Sequence, residues 1–188
     1  MKAIMLTIRL WYFYLTYKGI KKAEIRKKFA KNFKGKIFEC VSKTNWKKDL
    51  MKIPAEEREF FKQFVGKVGL CFECDNVEHI EYETCSRDIS GWWKDNGKMF
   101  NHKDACLTYT EMFDYIGSGE GYAIHITKLE IFDKSKEISE FIPYCELCGS
   151  TSCCNCKHAQ RDSELKFICC DKIKSLTRAP QSWQYIEV

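Results

Sequence analysis

The segment CELCGSTSCCNC, residues 145–156, contains five of the 12 cysteines of this 188-residue chain. Disulfide-dense scaffolds are usually short secreted chains that cannot bury enough apolar surface in any other way. This chain is 45% hydrophobic and long enough for one ordinary domain with an appended module, so it needs no such cross-links. Its apolar start is interrupted by Arg9 and lacks a small-residue cleavage site, which argues against a secretory signal. We therefore expect a cytoplasmic protein whose cysteines are reduced or bind a metal.

The spacing of these cysteines favours structural zinc. Cys145-x2-Cys148 and Cys153-x2-Cys156 are two CxxC pairs, each of which can direct two thiolates at one ion. Four thiolates close the coordination sphere, and the bound ion would order a segment that has little apolar material of its own. The alternative ligands in this region are Cys154, His158, Cys169 and Cys170. An iron–sulfur cluster and unligated or redox-active thiols are the competing interpretations.

Charge is distributed unevenly along the chain. Residues 1–36 contain 11 Lys and Arg against the single acid Glu24, a local charge of +10 in a chain whose net charge is +5. Such a positive surface attracts polyanions through phosphate neutralisation and counterion release. The competing interpretation is a solvated basic face without a ligand. No stretch reaches the ~18 apolar residues of a membrane span, so we expect no membrane partner.

The hydrophobic pattern predicts several strands and a few short helices, which is the α+β class with a mixed or closed sheet. Strands are predicted at residues 2–9, 35–42, 66–80, 121–133 and 182–188. Residues 21–30 favour a strand, with a basic helix as the alternative. Helices are predicted at residues 10–19, after Pro54 and at 107–117, where Thr108 and Glu111 form a capping box. Alternation after Gly66 indicates a half-buried strand, and a slip near Thr127 indicates a bulge.

The order of these elements is similar to that of the ASCH domain family, in particular its small members in phages and bacterial mobile elements. The similarity is carried by GIKKAEIRK, GKVGLCFECDNVEHI, CLTYTEMFDYIG, GYAIHITKLEIFDKSKEISEF and TRAPQSWQYIEV. It covers nearly the whole chain and is most specific in residues 121–141 and 177–188. The resemblance implies a PUA-like fold, a small β-barrel flanked by short helices, whose cleft is associated with RNA or modified nucleosides. It also implies the cytoplasm of a bacterial host cell.

The resemblance assigns residues 1–142 and 176–188 to the ASCH domain. Residues 143–175 are rich in Cys and have no periodicity, so we interpret them as a zinc-binding insertion near the C-terminus. The insertion would form a rigid protrusion to which a partner could bind.

One branch of the family removes the acetyl group from 4-acetylcytidine with a Lys, a Thr and a distant Glu. In the motif G-x-K-x-x-T-x-R of that branch, Lys21 and Arg26 match, whereas Glu24 stands where the branch has Thr. Glu111 is the candidate for the distant Glu, although the capping box already explains it. Because of the departure at the Thr position we predict binding rather than catalysis, with Lys21, Glu24 and Glu111 as the candidate catalytic residues.

Lys21, Glu24 and Arg26 also form a pattern without the resemblance. On a strand, Glu24 and Arg26 share one face, and Lys21 at its start can reach the same cleft. The three side chains suit recognition of a polar base edge, an intrastrand ion pair that orders the mouth of the barrel, or proton transfer. In SGWWKDNGK, a predicted polar loop, two tryptophans can stack on bases or cover one end of the fold. The predicted nucleic-acid contacts are Lys21, Lys22, Glu24, Arg26, Lys27, Lys28, Trp92 and Trp93.

The sequence therefore predicts a protein that binds RNA or a nucleotide-like ligand through its basic N-terminal quarter. The first alternative is an amidohydrolase or nuclease that acts on modified or single-stranded nucleic acid. The second is a phage-encoded inhibitor that occupies a protein or guide-RNA site of a host defence ribonucleoprotein of the CRISPR type.

Overall fold

The computed structural model of the chain describes residues 1–84, 91–95, 97–144, 160–161, 167–168 and 176–188. Within these residues the fold is a mixed α+β arrangement with few helices, as the sequence predicts. The strands are β1 Lys2–Ile8, β2 Ala23–Arg26, β3 Gly35–Val41, β4 Val68–Cys74, β5 Val77–Thr84, β6 Gly91–Asp95, β7 Lys98–Met99, β8 Glu120–His125, β9 Thr127–Lys136, β10 Ile142–Pro143, β11 Gln160–Arg161, β12 Phe167–Ile168 and β13 Trp183–Glu187. The α-helices are α1 Leu10–Tyr17, α2 Trp46–Leu50, α3 Arg58–Lys62 and α4 Tyr109–Ile116.

The chain divides into two compact units. One comprises residues 1–13, 36–71 and 131–188, and the other comprises residues 14–35 and 72–130. Most of the predicted insertion, residues 143–175, lies outside the described residues. The same holds for every zinc ligand candidate: Cys145, Cys148, Cys153, Cys156, Cys154, His158, Cys169 and Cys170. The zinc site stays a prediction from the sequence.

A six-stranded sheet has the order β10-β13-β1-β3-β4-β9. Its central strand β1 pairs in parallel with β3 and antiparallel with β13, so Ile4 lies between Ile37 and Tyr185. Two adjacent parallel strands must be joined by a crossover connection, and residues 9–34 form this connection between β1 and β3. One cluster of the core of the first unit comprises the buried residues Ala3, Met5, Phe38, Cys40, Val68, Cys71, Phe141 and Ile186.

The strand predicted over residues 66–80 is two strands, β4 and β5, and β4 also differs from the prediction in its burial. Residues 68–72 are all buried, so the strand is covered on both faces and not half-buried. The reason is close packing at Gly69, where an added Cβ would lie 2.5 Å from Phe64 and 2.6 Å from Phe13. Only a residue without a side chain lets two aromatic rings approach the strand this closely. A regular apolar alternation does not reveal such a second covering layer.

A five-stranded antiparallel sheet of order β2-β8-β5-β6-β7 lies in the second unit. Its β5 is amphipathic: Ile80 and Tyr82 pack into the core, while His79, Glu81 and Glu83 alternate with them and lie on the opposite face. The core of this unit consists of Ile25, Ile80, Trp93, Ala105, Met112, Ile116 and Ala123.

Two further predictions are corrected in this sheet. The two tryptophans lie on strand β6 and not in a polar loop. The predicted long strand over residues 121–133 is two strands, β8 and β9, separated at Ile126, whose N–H donates to the Lys22 carbonyl at 2.9 Å. Lys128 has a positive φ of 43°, which marks the slip that the sequence placed near Thr127. Of residues 21–30, for which the sequence favours a strand, only Ala23–Arg26 form one, and no helix lies in this region, so the helical alternative is wrong.

Helix α4 begins and ends as predicted. Glu111 N–H donates to Thr108 Oγ1 at 3.1 Å, and Thr108 N–H donates to a Glu111 carboxylate oxygen at 2.9 Å, which completes the capping box. Gly117 follows the last helical residue with φ 80°. None of the helices in the described part of the chain has the length and apolar character that crossing a membrane requires.

Candidate functional site

Lys21, Glu24 and Arg26 form a buried charged cluster at the edge strand of the five-stranded sheet. Helix α1 ends before Gly19, whose φ of 67° turns the chain, and the Lys21 N–H then donates to Leu15 O at 3.1 Å. Lys21 Nζ donates to one carboxylate oxygen of Glu24, and Arg26 Nη2 lies 2.9 Å from the other. The three residues are only 4%, 5% and 8% exposed. The structure therefore brings them together, but as a closed cluster and not as an open cleft.

The cluster keeps Glu24 ionised. Burial by itself raises the pKa of a carboxyl, but the charges of Lys21 and Arg26 outweigh burial, so the pKa of Glu24 lies below its ordinary value. A carboxylate held by two cations is a weak base at neutral pH. Of the three interpretations of these residues, the contacts agree best with an ion pair that orders the sheet edge.

The chain segment that contains β2 presents cations to solvent. Five lysines of residues 22–34 are exposed, whereas Glu24, the one acid of this segment, is buried in the cluster. Exposed positions are Lys22, Lys27, Lys28, Lys31 and Lys34. We call residues 22–34 the basic segment. Burial of Glu24 and Arg26 leaves the five lysines as the charged side chains that this segment exposes.

A pocket of about 420 Å³ lies beside Lys22. Its volume falls in the roughly 300–1,000 Å³ range of small-molecule sites. His125 lies in its wall, with Nε2 2.8 Å from a Glu78 carboxylate oxygen and Nδ1 3.6 Å from Asp75. The lining combines cationic, acidic and apolar groups: Lys22, Ala23, Glu78, Asp95, Lys98, Met99, Phe100, Asn101, Asp104, His125, Ile126 and Thr127. The pocket can thus offer both donors and acceptors to a polar ligand.

A second group of side chains was not singled out by the sequence analysis. His79 Nε2 lies 2.9 Å from a Glu120 carboxylate oxygen, and His79 Nδ1 lies 3.4 Å from one of Glu81. The sequence alone indicates that His79 and Glu81 share one face, because they are two positions apart on a strand. Glu120 comes from the neighbouring strand, and no sequence pattern indicates that pairing.

Three further predicted site residues, Trp92, Trp93 and Glu111, each lie in a different environment. Trp93 is 3% exposed and belongs to the core of the second unit, so its ring does not offer a stacking face to solvent. Trp92 is partly exposed, and Lys94 Nζ lies 5.7 Å from its ring centroid. Glu111 accepts hydrogen bonds from the amide and the hydroxyl of Thr108, at 2.9 and 3.0 Å. Helix capping accounts for this carboxylate.

The described cysteines are free thiols: Cys40, Cys71, Cys74 and Cys106. Burial raises the pKa of Cys40 to about 12 and that of Cys74 to about 11. Thiols with such pKa values are protonated at neutral pH and are poor nucleophiles and poor metal ligands. These two cysteines therefore act as core residues.

Comparison with solved structures returns ASCH proteins, the family that the sequence motifs resemble. The chain is similar to the crystal structure of ASCH from Zymomonas mobilis at 9% identity and a TM-score of 0.47, over 72% of this chain and 73% of that one. It is also similar to a tyrosine-to-phenylalanine mutant of that ASCH protein, at 9% identity and a TM-score of 0.48, over 72% and 76%. No protein-family model and no curated protein matches the sequence.

Proposed function

We propose that this chain is an ASCH-type, PUA-like protein that binds single-stranded RNA. Its sequence motifs suggest the family, and one observation carries the function: the basic segment exposes five lysines while its only acid is buried. A row of exposed lysines neutralises phosphates, and the release of counterions supplies a large share of the binding free energy.

The pocket beside Lys22 supports a nucleotide as the unit that is recognised. Lys22 belongs both to the basic segment and to the pocket wall, so a phosphate held by Lys22 brings its nucleotide to the pocket. Phe100 supplies apolar surface for a base, and His125 with Glu78 supplies a donor and an acceptor for its polar edge. Trp92 is a further candidate for stacking.

The buried charged cluster has a positioning role in this proposal. It holds β2 in place, and the lysines on either side of this strand, Lys22, Lys27 and Lys28, contact the RNA. None of the three side chains of the cluster touches the ligand directly. The acetylcytidine hydrolase alternative needs an open Lys21 and a reactive group at position 24, whereas Glu24 is paired with two cations. Binding is therefore favoured over catalysis at this cluster.

The test is a fluorescence-anisotropy titration with single-stranded RNA across a salt series. We compare the wild type with Lys22→Gln/Lys27→Gln/Lys28→Gln. Each lost phosphate contact lowers the slope of log K against log salt by about 0.7 for a single strand, so the triple variant is expected to lower it by about 2. Affinity at low salt falls as well.

The matched control is Lys47→Gln/Lys48→Gln/Lys52→Gln. It removes the same charge from three exposed lysines outside the basic segment. The control is expected to keep the slope of the wild type. Equal losses in both variants would mean that RNA responds only to net charge, and would overturn the assignment of the surface.

The zinc-stabilised insertion remains part of the proposal. It rests on the spacing of the two CxxC pairs, Cys145/Cys148 and Cys153/Cys156, in the sequence. Elemental analysis of the purified protein is expected to find one zinc per chain, and Cys145→Ser is expected to remove it. The phage origin and the role as a defence inhibitor stay predictions of the resemblance.

A further inference from the structure

His79, Glu81 and Glu120 lie together on the outer face of the five-stranded sheet. His79 and Glu81 are two positions apart on β5, and Glu120 on β8 is the direct cross-strand neighbour of Glu81. One ligand atom of each residue lies within 4.8 Å of those of the other two. We call these three residues the His79 cluster. Neither the RNA-binding proposal nor the predicted zinc site uses it.

The charge of this cluster is unbalanced. Two carboxylates directly opposite each other across a strand pair repel, which destabilises the sheet. Lys94 is the cross-strand neighbour of Glu81 on the other side, but it makes its ion pair with Glu83. Among the ion pairs of the described residues, the partner of both Glu81 and Glu120 is His79. The cluster thus sets two carboxylates against a single histidine.

The three groups match the preferences of a divalent transition ion. An imidazole nitrogen and two carboxylate oxygens are ligands of Zn²⁺, Mn²⁺ and Fe²⁺ sites, with ligand bonds of roughly 2.0–2.2 Å for zinc. Ligand atoms within 4.8 Å of one another can reach one such ion by small side-chain rotations. Side-chain exposures of 35% for His79, 69% for Glu81 and 63% for Glu120 leave a path for the ion and room for water ligands.

The strand scaffold orients the cluster before an ion arrives. Glu81 and Glu120 are held by the β5–β8 register, and the ring of His79 packs against the ring of Tyr122 with centroids 5.2 Å apart. His79 already contacts both carboxylates, so its ring points between them. A site on paired strands needs less ordering than one on loops.

We propose that His79, Glu81 and Glu120 bind one divalent transition-metal ion, with one imidazole nitrogen and two carboxylates as protein ligands and water in the remaining positions. The ion offsets the repulsion between the two carboxylates and replaces the contacts that they now make with His79.

The experiment uses Mn²⁺ and the full chain, read by electron paramagnetic resonance, in which the signal of free aqueous Mn²⁺ disappears on binding. Mn²⁺ is chosen because oxygen-rich sites accept it, whereas the cysteine thiolates prefer zinc. Wild type is expected to bind one Mn²⁺, and Glu120→Gln is expected to weaken binding by at least about 10-fold, the lower end of losses seen for altered metal surroundings.

The matched control is Glu83→Gln. It makes the same chemical change on the same face of β5, in a carboxylate that pairs with Lys94. This variant is expected to keep the wild-type affinity. Absence of Mn²⁺ binding at millimolar concentration, or an equal loss in both variants, would overturn the site. His79→Gln checks the imidazole independently and is expected to weaken binding to the same degree as Glu120→Gln.

Discussion

Two charged clusters on one sheet have opposite characters. In the buried charged cluster, Lys21 and Arg26 flank Glu24, each is less than a tenth exposed, and cations outnumber acids. In the His79 cluster, two carboxylates surround one histidine in the presence of solvent. The first satisfies its charges within the chain, whereas the second, in our proposal, binds an added cation. The comparison teaches that the function of a charged cluster depends on whether other side chains of the chain already neutralise its charge.

Removal of the central carboxylate is expected to have the largest effect on this comparison. Glu24→Ala leaves Lys21 and Arg26 buried without their shared partner, which costs about 3–5 kcal/mol of unfolding free energy. Urea denaturation followed by circular dichroism measures it. Glu83→Gln, which breaks an exposed pair, is expected to cost about 0–1 kcal/mol.

The apolar variant Lys21→Met/Glu24→Leu/Arg26→Met sharpens this test. Replacement of a whole buried ion cluster by apolar side chains is often neutral, so this variant is expected to regain most of the stability that Glu24→Ala loses. A similar loss in Glu24→Ala and Glu83→Gln would contradict the structural role of the buried cluster.

Low pH is expected to have the second-largest effect, because it weakens the buried charged cluster. The folded pKa of Glu24 lies below its ordinary value of 4.5, so the unfolded state binds more protons in the window below pH 4.5. The stabilising contribution is complete above that pH and is lost as pH falls through the folded pKa. Glu24→Gln removes this contribution, so the difference in stability between wild type and variant is expected to shrink as pH falls below 4.5. A difference that stays constant with pH contradicts the assignment.

Addition of Mn²⁺ is expected to give the smallest change in stability, and this change depends on the His79 cluster. A ligand that binds only the folded state adds RT ln(1 + [L]/Kd), which is about 1.4 kcal/mol when Mn²⁺ is at ten times its Kd. The melting temperature of the wild type should rise, whereas that of Glu120→Gln should not respond at the same Mn²⁺ concentration. An equal rise in both proteins would locate the stabilising ion elsewhere.

Much of the fold was open to prediction because local patterns specify it. The capping box of Thr108 and Glu111 and the turn at Gly117 mark α4 from sequence alone, since each motif satisfies the backbone within a few residues. The approach of Phe13 and Phe64 to Gly69 was not predictable, because it joins residues far apart in the chain. The prediction that Trp92 and Trp93 lie in a loop was wrong for the same reason. Their polar neighbours suggested a loop, but residues 91–94 pair with β5 and form a strand.

The candidate sites divide in the same way. The sequence by itself determined that Glu24 and Arg26 share one face, because a spacing of two residues on a strand is a local property. Lys21 precedes β2 and joins them through the turn after α1, in which its N–H donates to Leu15 O. Only the tertiary structure decided that this cluster is buried while the neighbouring lysines are exposed, since burial depends on what packs over a strand. It also brought Glu120 beside His79 and Glu81. Strand register joins His79 and Glu120, which are 41 positions apart in the sequence, and no local pattern encodes that pairing.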